Sequence, residues 1–218
     1  MNRIAVVLVV LAACAAPPMG LGMGARMPIS QTGHSVLAGS VGMGAGPGRQ
    51  TFQAEAQGQF AIARWFALEM GGVYTQLAAR SGGKEFNTLG GFPYVRPRFR
   101  IDRVSIAVAL SGFGFGGGGG GFIGGVADAQ VGYGTGTWSV YGGAMAHGFE
   151  LVSEQSLETS SRALRVGGEY TTRVGRSRLG IAVEVYRQHD DLRRGGTRIE
   201  SQFMAAALKL SITSPEFR

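Results

Sequence analysis

Most of the chain alternates apolar and polar residues with a period of two. In the clearest segment, from Phe52 to Ile62, one face carries phenylalanine, alanine and isoleucine, and the other carries glutamine and glutamate. This is the side-chain period of a β-strand, so the pattern predicts an all-β chain. We place ten strands near residues 35–44, 50–63, 65–76, 88–101, 104–115, 121–133, 137–149, 161–173, 178–188 and 199–212.

The lengths of these segments and of their connections favour one kind of all-β fold. Most segments reach the roughly 9–11 residues that a tilted strand needs to cross a membrane. Tight turns, such as Asp102-Arg103, alternate with longer connections, such as 77–87 and 189–198. This is the pattern of an antiparallel up-and-down transmembrane β-barrel. Eight strands is the alternative count, and a soluble β-sandwich on a lipid tether is the alternative fold.

The charged residues predict which face meets lipid. Along the strands they fall on the phase opposite the large apolar residues, so we expect the apolar phase to contact lipid and the charged phase to line an enclosed lumen. Phe60, Phe66, Phe99, Tyr133 and Trp138 lie on the apolar phase close to the short turns. Aromatic side chains at strand ends are typical of an interfacial girdle.

The N-terminal segment reads as an export signal. A short basic start precedes an apolar run from Ile4 to Ala13, which is too short to span a membrane and suits a signal peptide. The run ends in Leu-Ala-Ala before Cys14, the one cysteine of the chain, and this resembles the bacterial lipobox. We therefore predict a signal peptide over 1–13, a flexible periplasmic tether over 14–33 with lipidated Cys14, and a barrel over 34–218. The alternative is an ordinary signal cleaved at a nearby alanine, which would discard Cys14.

Composition agrees with a glycine-rich sheet and argues against a nucleic-acid partner. The chain has 38 glycines without a collagen-like repeat, and glycine is tolerated where a sheet bends or packs closely. The formal net charge is +7, but the basic residues form no tail and no nucleic-acid-binding motif. We therefore expect no nucleic-acid partner.

Together these features resemble small bacterial outer-membrane β-barrel proteins of OmpA-like or omptin-like architecture, without matching a specific family. The resemblance implies location in the bacterial outer membrane, contact with lipid and lipopolysaccharide, and assembly by the barrel-assembly machinery. Two features depart from the pattern. Phe217 is penultimate rather than terminal, and Pro93 and Pro97 interrupt a strand, where we expect a bulge or a local irregularity.

The charged phase predicts a polar network inside the barrel. We expect opposite charges on neighbouring strands to form ion pairs that plug a lumen of this size, with a narrow solute channel as the alternative. The predicted lumen network comprises Glu55, Glu69, Arg96, Arg98, Arg100, Glu169, Glu184 and Lys209.

The rim residues carry the remaining candidate chemistry. His189-Asp190-Asp191 resembles the acid–histidine rim pairs of omptin proteases, but no second acidic pair accompanies it. The spacing of His147, Glu150 and Ser153 does not match outer-membrane lipid deacylases, and no His/Cys cluster predicts a metal. Four arginines could contact lipopolysaccharide phosphates, since a guanidinium suits phosphate geometry. They are Arg187, Arg193, Arg194 and Arg198.

The sequence therefore predicts a non-enzymatic outer-membrane barrel with a structural or surface-interaction role and no cofactor. The alternatives are a rim-located hydrolase acting on lipid or peptide, and a narrow solute channel. The oligomeric state is not readable from the sequence.

Overall fold

A computed structural model describes residues 32–217, except 47–48, 82–83, 118–119, 153–156 and 195–196. The described chain forms ten strands, as the alternation predicts. The strands are Ser35–Gly46 (β1), Arg49–Ala63 (β2), Phe66–Ser81 (β3), Lys84–Ile101 (β4), Val104–Gly117 (β5), Gly120–Gly134 (β6), Trp138–Val152 (β7), Leu157–Val174 (β8), Ser177–Arg194 (β9) and Thr197–Thr213 (β10).

Each strand pairs antiparallel with the next, and β1 pairs with β10, so the sheet closes into an up-and-down barrel. The prediction of an all-β antiparallel barrel of ten strands is confirmed. An even strand number brings the start of β1 and the end of β10 to the same end of the barrel, where Ser35 also bridges Phe217. We call this the terminal end, and the opposite end the distal end.

The predicted long connections at the distal end are wrong. Strand β3 continues to Ser81 and β4 begins at Lys84, whereas the sequence indicated a connection over 77–87. The backbone of this segment keeps its register, down to Ser81 paired with Lys84. The backbone pairing of β3 and β4 therefore continues past the predicted strands 65–76 and 88–101 and lengthens the barrel wall at its distal end.

The barrel is inside-out relative to a soluble protein. The large apolar side chains on its outer face are exposed, among them Met43, Leu110, Leu164 and Ile181. Charged side chains such as Glu69 and Arg96 are fully buried inside. A soluble sandwich would bury the apolar faces instead, so this arrangement excludes that alternative and supports contact with hydrocarbon.

Aromatic side chains gather on the outer face near the terminal end. Trp65 stacks on Phe99 with ring centroids 6.2 Å apart, and Phe66 lies 5.1 Å from the same ring. On the other side of the barrel, Tyr133 and Trp138 are 6.3 Å apart. These clusters form the interfacial girdle that the sequence predicts at the short turns.

The junction between β4 and β5, called here the β4–β5 seam, is the irregular part of the wall. In the described chain its paired residues run from Val95↔Leu110 to Ile101↔Val104, with a break between Val95 and Arg98. Strand β4 stays in continuous register with β3. The predicted irregularity at the prolines is therefore an interrupted ladder, while the register shift of the barrel lies at Ala61/Ala63 on β2.

Proline geometry explains the seam. The N–H of Arg100 donates to the carbonyl of Trp65, on the β3 side. Successive N–H groups of a strand face opposite neighbours, so those of odd-numbered residues in β4 face β5. Pro93 and Pro97 both occupy such positions, and proline has no N–H to donate. The Ser111 hydroxyl donates to the Pro93 carbonyl and bridges part of the gap.

The described residues contain no helix long and apolar enough to cross a membrane. The predicted signal peptide and nearly all of the predicted tether, including Cys14, lie outside the described residues.

Candidate functional site

The centre of the lumen is an ion cluster around Glu69 on β3. Its carboxylate accepts from Arg96 Nε at 2.5 Å and from Arg98 Nε at 2.5 Å, and a second Arg98 nitrogen donates at 2.9 Å. The register explains the contact, because Glu69 lies directly opposite Arg96 on β4. The three side chains are between 0% and 1% exposed. Buried charges of this kind are stable only when they are paired and hydrogen-bonded.

Glutamine and tyrosine side chains complete this cluster. Gln59 donates to Glu69 at 2.9 Å, and Gln57 accepts from Arg96 at 2.6 Å. The Tyr94 hydroxyl donates to Glu55 and to Gln57, and the Arg96 guanidinium lies 5.0 Å from the centre of the Tyr94 ring. The cluster therefore joins β2, β3 and β4 through side chains as well as through the ladder.

Two further ion pairs lie inside the barrel on the remaining strands. Arg165 on β8 donates to Asp128 on β6 at 2.5 Å, reaching across β7. Lys209 on β10 donates to Glu184 on β9 at 2.9 Å. All four side chains are buried. With the Glu69 cluster they form what we call the lumen plug.

Two tyrosines fill space above inward-facing glycines. Tyr94 lies opposite Gly71, and Tyr141 lies opposite Gly167. A Cβ added at Gly71 would stand 2.7 Å from the Tyr94 hydroxyl, and one at Gly167 would stand 2.6 Å from the Tyr141 ring. Only glycine leaves room for a ring to lie across the lumen at these positions, so the glycines shape the plug.

The plug borders two regions of different character. A buried apolar cluster begins at the Tyr94 ring and includes Val73, Val126 and Met145. On the terminal side of the plug is a polar vestibule of about 330 Å³ that reaches the turns of the terminal end. Its lining includes Glu55, Glu169 and Arg178 among small side chains. Water can enter this vestibule from the terminal mouth, but the buried ion pairs lie beyond it.

The structure places the predicted network residues in two groups. Glu55, Glu69, Arg96, Arg98, Glu169, Glu184 and Lys209 are buried in the lumen. Glu169 accepts from the Ser211 hydroxyl at 3.2 Å, whereas Glu184 contacts Lys209 directly. Arg100 is different, because it is exposed at the terminal mouth, where its Nε donates to the carbonyl of Asp102. It lies one residue from the end of β4, too near the mouth to be enclosed.

Several plug residues were not included in the predicted network. Asp128, Arg165, Gln57 and Gln59 fall on the polar phase of the sequence, but the network was drawn without them. Tyr141 shares that inward phase and was not named. Their partners could not be assigned, because Asp128 and Arg165 lie on strands that are not adjacent and meet only across the closed lumen.

The rim candidates are dispersed. His189 lies on the outer wall, where it borders a groove, and not in the lumen. The backbone of His147 pairs with Ser161, but its side chain and the whole of Ser153 lie outside what the structure describes. In the described part of the chain, no group of three or more His, Cys, Asp or Glu residues is placed to hold a metal.

The four arginines proposed for lipopolysaccharide lie near the distal end of β9 and β10. Arg187 is exposed on the outer wall. The backbones of Arg193 and Arg198 pair with each other, and Arg194 pairs with Thr197. The side chains of Arg193, Arg194 and Arg198 are outside the described part of the structure.

Comparison with known proteins gives a fold but no family. No protein-family model and no curated protein sequence matches the chain. Among solved structures, it is similar to the translocator domain of the autotransporter NalP from Neisseria meningitidis, at 10% identity and a TM-score of 0.54, over 89% of this chain and 92% of that one.

Two other solved structures overlap over similar lengths. An outer membrane channel from Pseudomonas putida F1 has 10% identity and a TM-score of 0.47, over 88% of this chain and 98% of that one. The outer membrane protease OmpT from Escherichia coli has 7% identity and a TM-score of 0.36, over 83% and 94%. With exposed apolar strands, enclosed charges and this fold, the chain is a ten-stranded antiparallel β-barrel of the bacterial outer membrane.

Proposed function

We propose that this protein is a non-enzymatic, non-conducting outer-membrane barrel with a structural or surface-interaction role. The observation that carries the proposal is the lumen plug. Glu69, Arg96 and Arg98 are fully enclosed, and two more buried ion pairs occupy the lumen with them. Ions pass a pore only where binding is weak enough for them to leave, whereas charges paired to each other leave no such site.

Planar-bilayer recording tests the proposal. We expect no unitary conductance from the native barrel, because passage would require several ion pairs to separate at once. A Glu69→Ser/Arg96→Ser/Arg98→Ser variant removes the central cluster and should give measurable current steps. A Glu216→Gln variant alters an exposed carboxylate near the terminal end and serves as the control. Steady unitary conductance from the native barrel would establish the channel alternative.

The distal end is the part we assign to the cell exterior. The described chain enters β1 and leaves β10 at the terminal end, and at the distal end the strands continue past the predicted membrane-crossing segments. Outer-membrane barrels carry short turns on the periplasmic side and their longer connections outside, and here the prolonged hairpins take the place of long loops. A protease-cleavable tag inserted between Ser81 and Lys84 should be cut in intact cells, whereas one between Asp102 and Arg103 should be protected. The reverse pattern would invert the assignment.

Lipidation of Cys14 fits this orientation. A lipid on Cys14 would hold the N-terminus at the inner leaflet, close to the terminal end where β1 begins. We expect metabolic labelling with a palmitate analogue to mark the native protein and not a Cys14→Ser variant, while both fractionate with the outer membrane. Absence of label on the native protein would favour the ordinary signal peptide.

The hydrolase alternative has a direct test of its own. Substitution of His147 and His189 by Ala should leave lipid A composition and peptide cleavage unchanged in cells that produce the protein. A change in lipid A composition or a loss of peptide cleavage on substitution would support a rim enzyme.

A further inference from the structure

In the described part of the outer wall, the charged side chains lie in one patch. Among outward-facing strand positions whose side chains the structure describes, charged residues occur only on β8, β9 and β10, near the distal end. They are Arg162, Arg187, Asp191 and Glu200. Every other such position is apolar, small or uncharged. A charge on the lipid face is costly at mid-bilayer and inexpensive near the headgroups, so a local cluster marks a place where the wall meets polar groups.

The register brings the basic members of this patch together. Arg162 lies directly opposite His189, which lies opposite Gln202 on β10. Arg187 and Asp191 lie two residues before and after His189 on β9, so both are diagonal neighbours of Arg162, at about 7–8 Å between backbones. Both guanidinium-bearing side chains can therefore reach a single anion between them. Asp191 and Glu200 oppose each other one row further toward the distal end.

A groove in the outer wall leads to these residues. It has a volume of about 600 Å³ and is lined by Ala127, Ala129, Ala144 and Ala146 between Val108 on one side and Leu164 on the other. Arg162, Arg187, His189 and Gln202 line the same groove. Two rows of laterally paired residues run from the alanines of β6 and β7 to the polar residues of β8, β9 and β10. The groove is therefore apolar at one end and basic at the other.

The tilt of the strands gives the groove its direction across the membrane. Val108 lies four residues from the terminal turn at the start of β5, and Arg187 lies ten residues from the start of β9. Ten residues at about 3.4 Å each, tilted by about 40°, rise about 25 Å, which is the height of the apolar band of such barrels. Arg187 thus stands at the distal boundary of the hydrocarbon, while the alanines lie within it.

We propose that this groove binds one molecule of a phosphorylated glycolipid of the outer leaflet. A phosphate lies between Arg162 and Arg187, with His189 and Gln202 as further hydrogen-bonding groups, and an acyl chain lies along the alanines. The small side chains leave space for a chain, and the basic end stands at the height of a headgroup. Asp191 and Glu200 lie one row further toward the distal end, and neither lines the groove. The proposal rests on the assignment of the distal end to the exterior, and it assigns a site to the surface-interaction role.

Lipid A binding to the purified full-length barrel in detergent tests the site. We expect Arg162→Gln/Arg187→Gln to weaken binding of bisphosphorylated lipid A at least tenfold, measured by native mass spectrometry. The matched control is Arg103→Gln/Arg176→Gln, which removes two exposed arginines from turns at the terminal end and should leave binding unchanged. Equal loss in both pairs, or no loss in either, would overturn the proposal.

Two further arms separate the headgroup from the chain. Ala129→Leu/Ala144→Leu fills the groove and should weaken lipid A binding while leaving binding of inorganic phosphate unchanged. Native protein should prefer lipid A to its dephosphorylated form by at least tenfold, and equal binding of the two would refute the phosphate site. Inorganic phosphate that competes as well as lipid A would show an anion site only. These results are independent of the conductance recording. A barrel that conducts would refute the non-conducting role and leave the proposed lipid site unaffected.

Discussion

Removal of the Glu69 charge tests whether the lumen plug stabilises the barrel. In a Glu69→Gln variant, Arg96 and Arg98 stay fully enclosed but lose the carboxylate that binds both of them. Arg96 keeps Gln57 as an acceptor at 2.6 Å, whereas the hydrogen bonds that the described structure shows from Arg98 end on Glu69. Arg98 should therefore account for most of the effect.

The expected loss of stability follows from the arginine charge that the substitution leaves unpaired. Breaking a buried ion pair by removing one partner costs about 3–5 kcal/mol, because an uncompensated charge remains enclosed. The glutamine amide oxygen can still accept one hydrogen bond, so we expect the lower end, about 3 kcal/mol. An Arg98→Met substitution in the same chain removes the stranded charge and should recover about 1–2 kcal/mol, since contacting residues couple by that order.

Urea-induced unfolding in lipid vesicles measures this effect, with tryptophan fluorescence and heat-modifiable gel mobility as independent probes. The matched control is Glu216→Gln, which removes a carboxylate 3.3 Å from His34 at the solvent-exposed terminal end. A partly exposed pair of this kind contributes less than about 1 kcal/mol. If Glu69→Gln costs no more than the control, or if Arg98→Met destabilises the Glu69→Gln chain further, the reasoning about the plug is wrong.

Three other predictions concern the wall. Gly167→Ala should destabilise the barrel by about 1–3 kcal/mol, because its Cβ would meet a tyrosine ring. Gly168→Ala is the control, since its Cβ would meet no heavy atom closer than 3.7 Å and should have little effect. Equal urea midpoints for the two variants would refute the packing argument. Pro97→Val restores an N–H facing β5 and should slow amide exchange along the β4–β5 seam, stabilising by about 1 kcal/mol, and unchanged exchange would contradict our explanation of the interrupted ladder. Trp65 and Trp138 both lie at the terminal end, so lipids brominated near the headgroup should quench their emission more than lipids brominated at the chain end, and the opposite order would displace the girdle from the interface.

The sequence predicted the barrel because inside and outside differ at every second residue. Segments such as Phe52 to Ile62 show that difference as alternating apolar and polar side chains. A sheet with an apolar outer face and a charged inner face fits a closed barrel in a membrane. The distal strand ends were missed because their sequence does not alternate. Residues beyond the membrane need no apolar face, so the segment near Ser81 and Lys84 has no alternation to read, yet its backbone still pairs.

The candidate site was partly predictable for the same reason. The buried charges could be assigned to the lumen by phase, but the partnership of Asp128 with Arg165 depends on closure of the sheet. On the outer wall, Arg187 could be proposed from its chemistry. Its neighbour Arg162 lies on the preceding strand, and only the register between β8 and β9 brings the two together.

The interrupted β4–β5 ladder divides the barrel into unequal parts. Strands β1 to β4 precede it and β5 to β10 follow it, and between Arg98 and Ile101 the two parts meet through continuous pairs next to a tight turn. The junction of β1 with β10, where the chain has its two ends, is paired without a break from Ala38 to Ala45. A break in the polypeptide at the Asp102-Arg103 turn would therefore leave two pieces joined by the sound junction on one side and the weak one on the other. The interrupted ladder is therefore an internal weak point of the closed sheet, separate from the junction between β1 and β10.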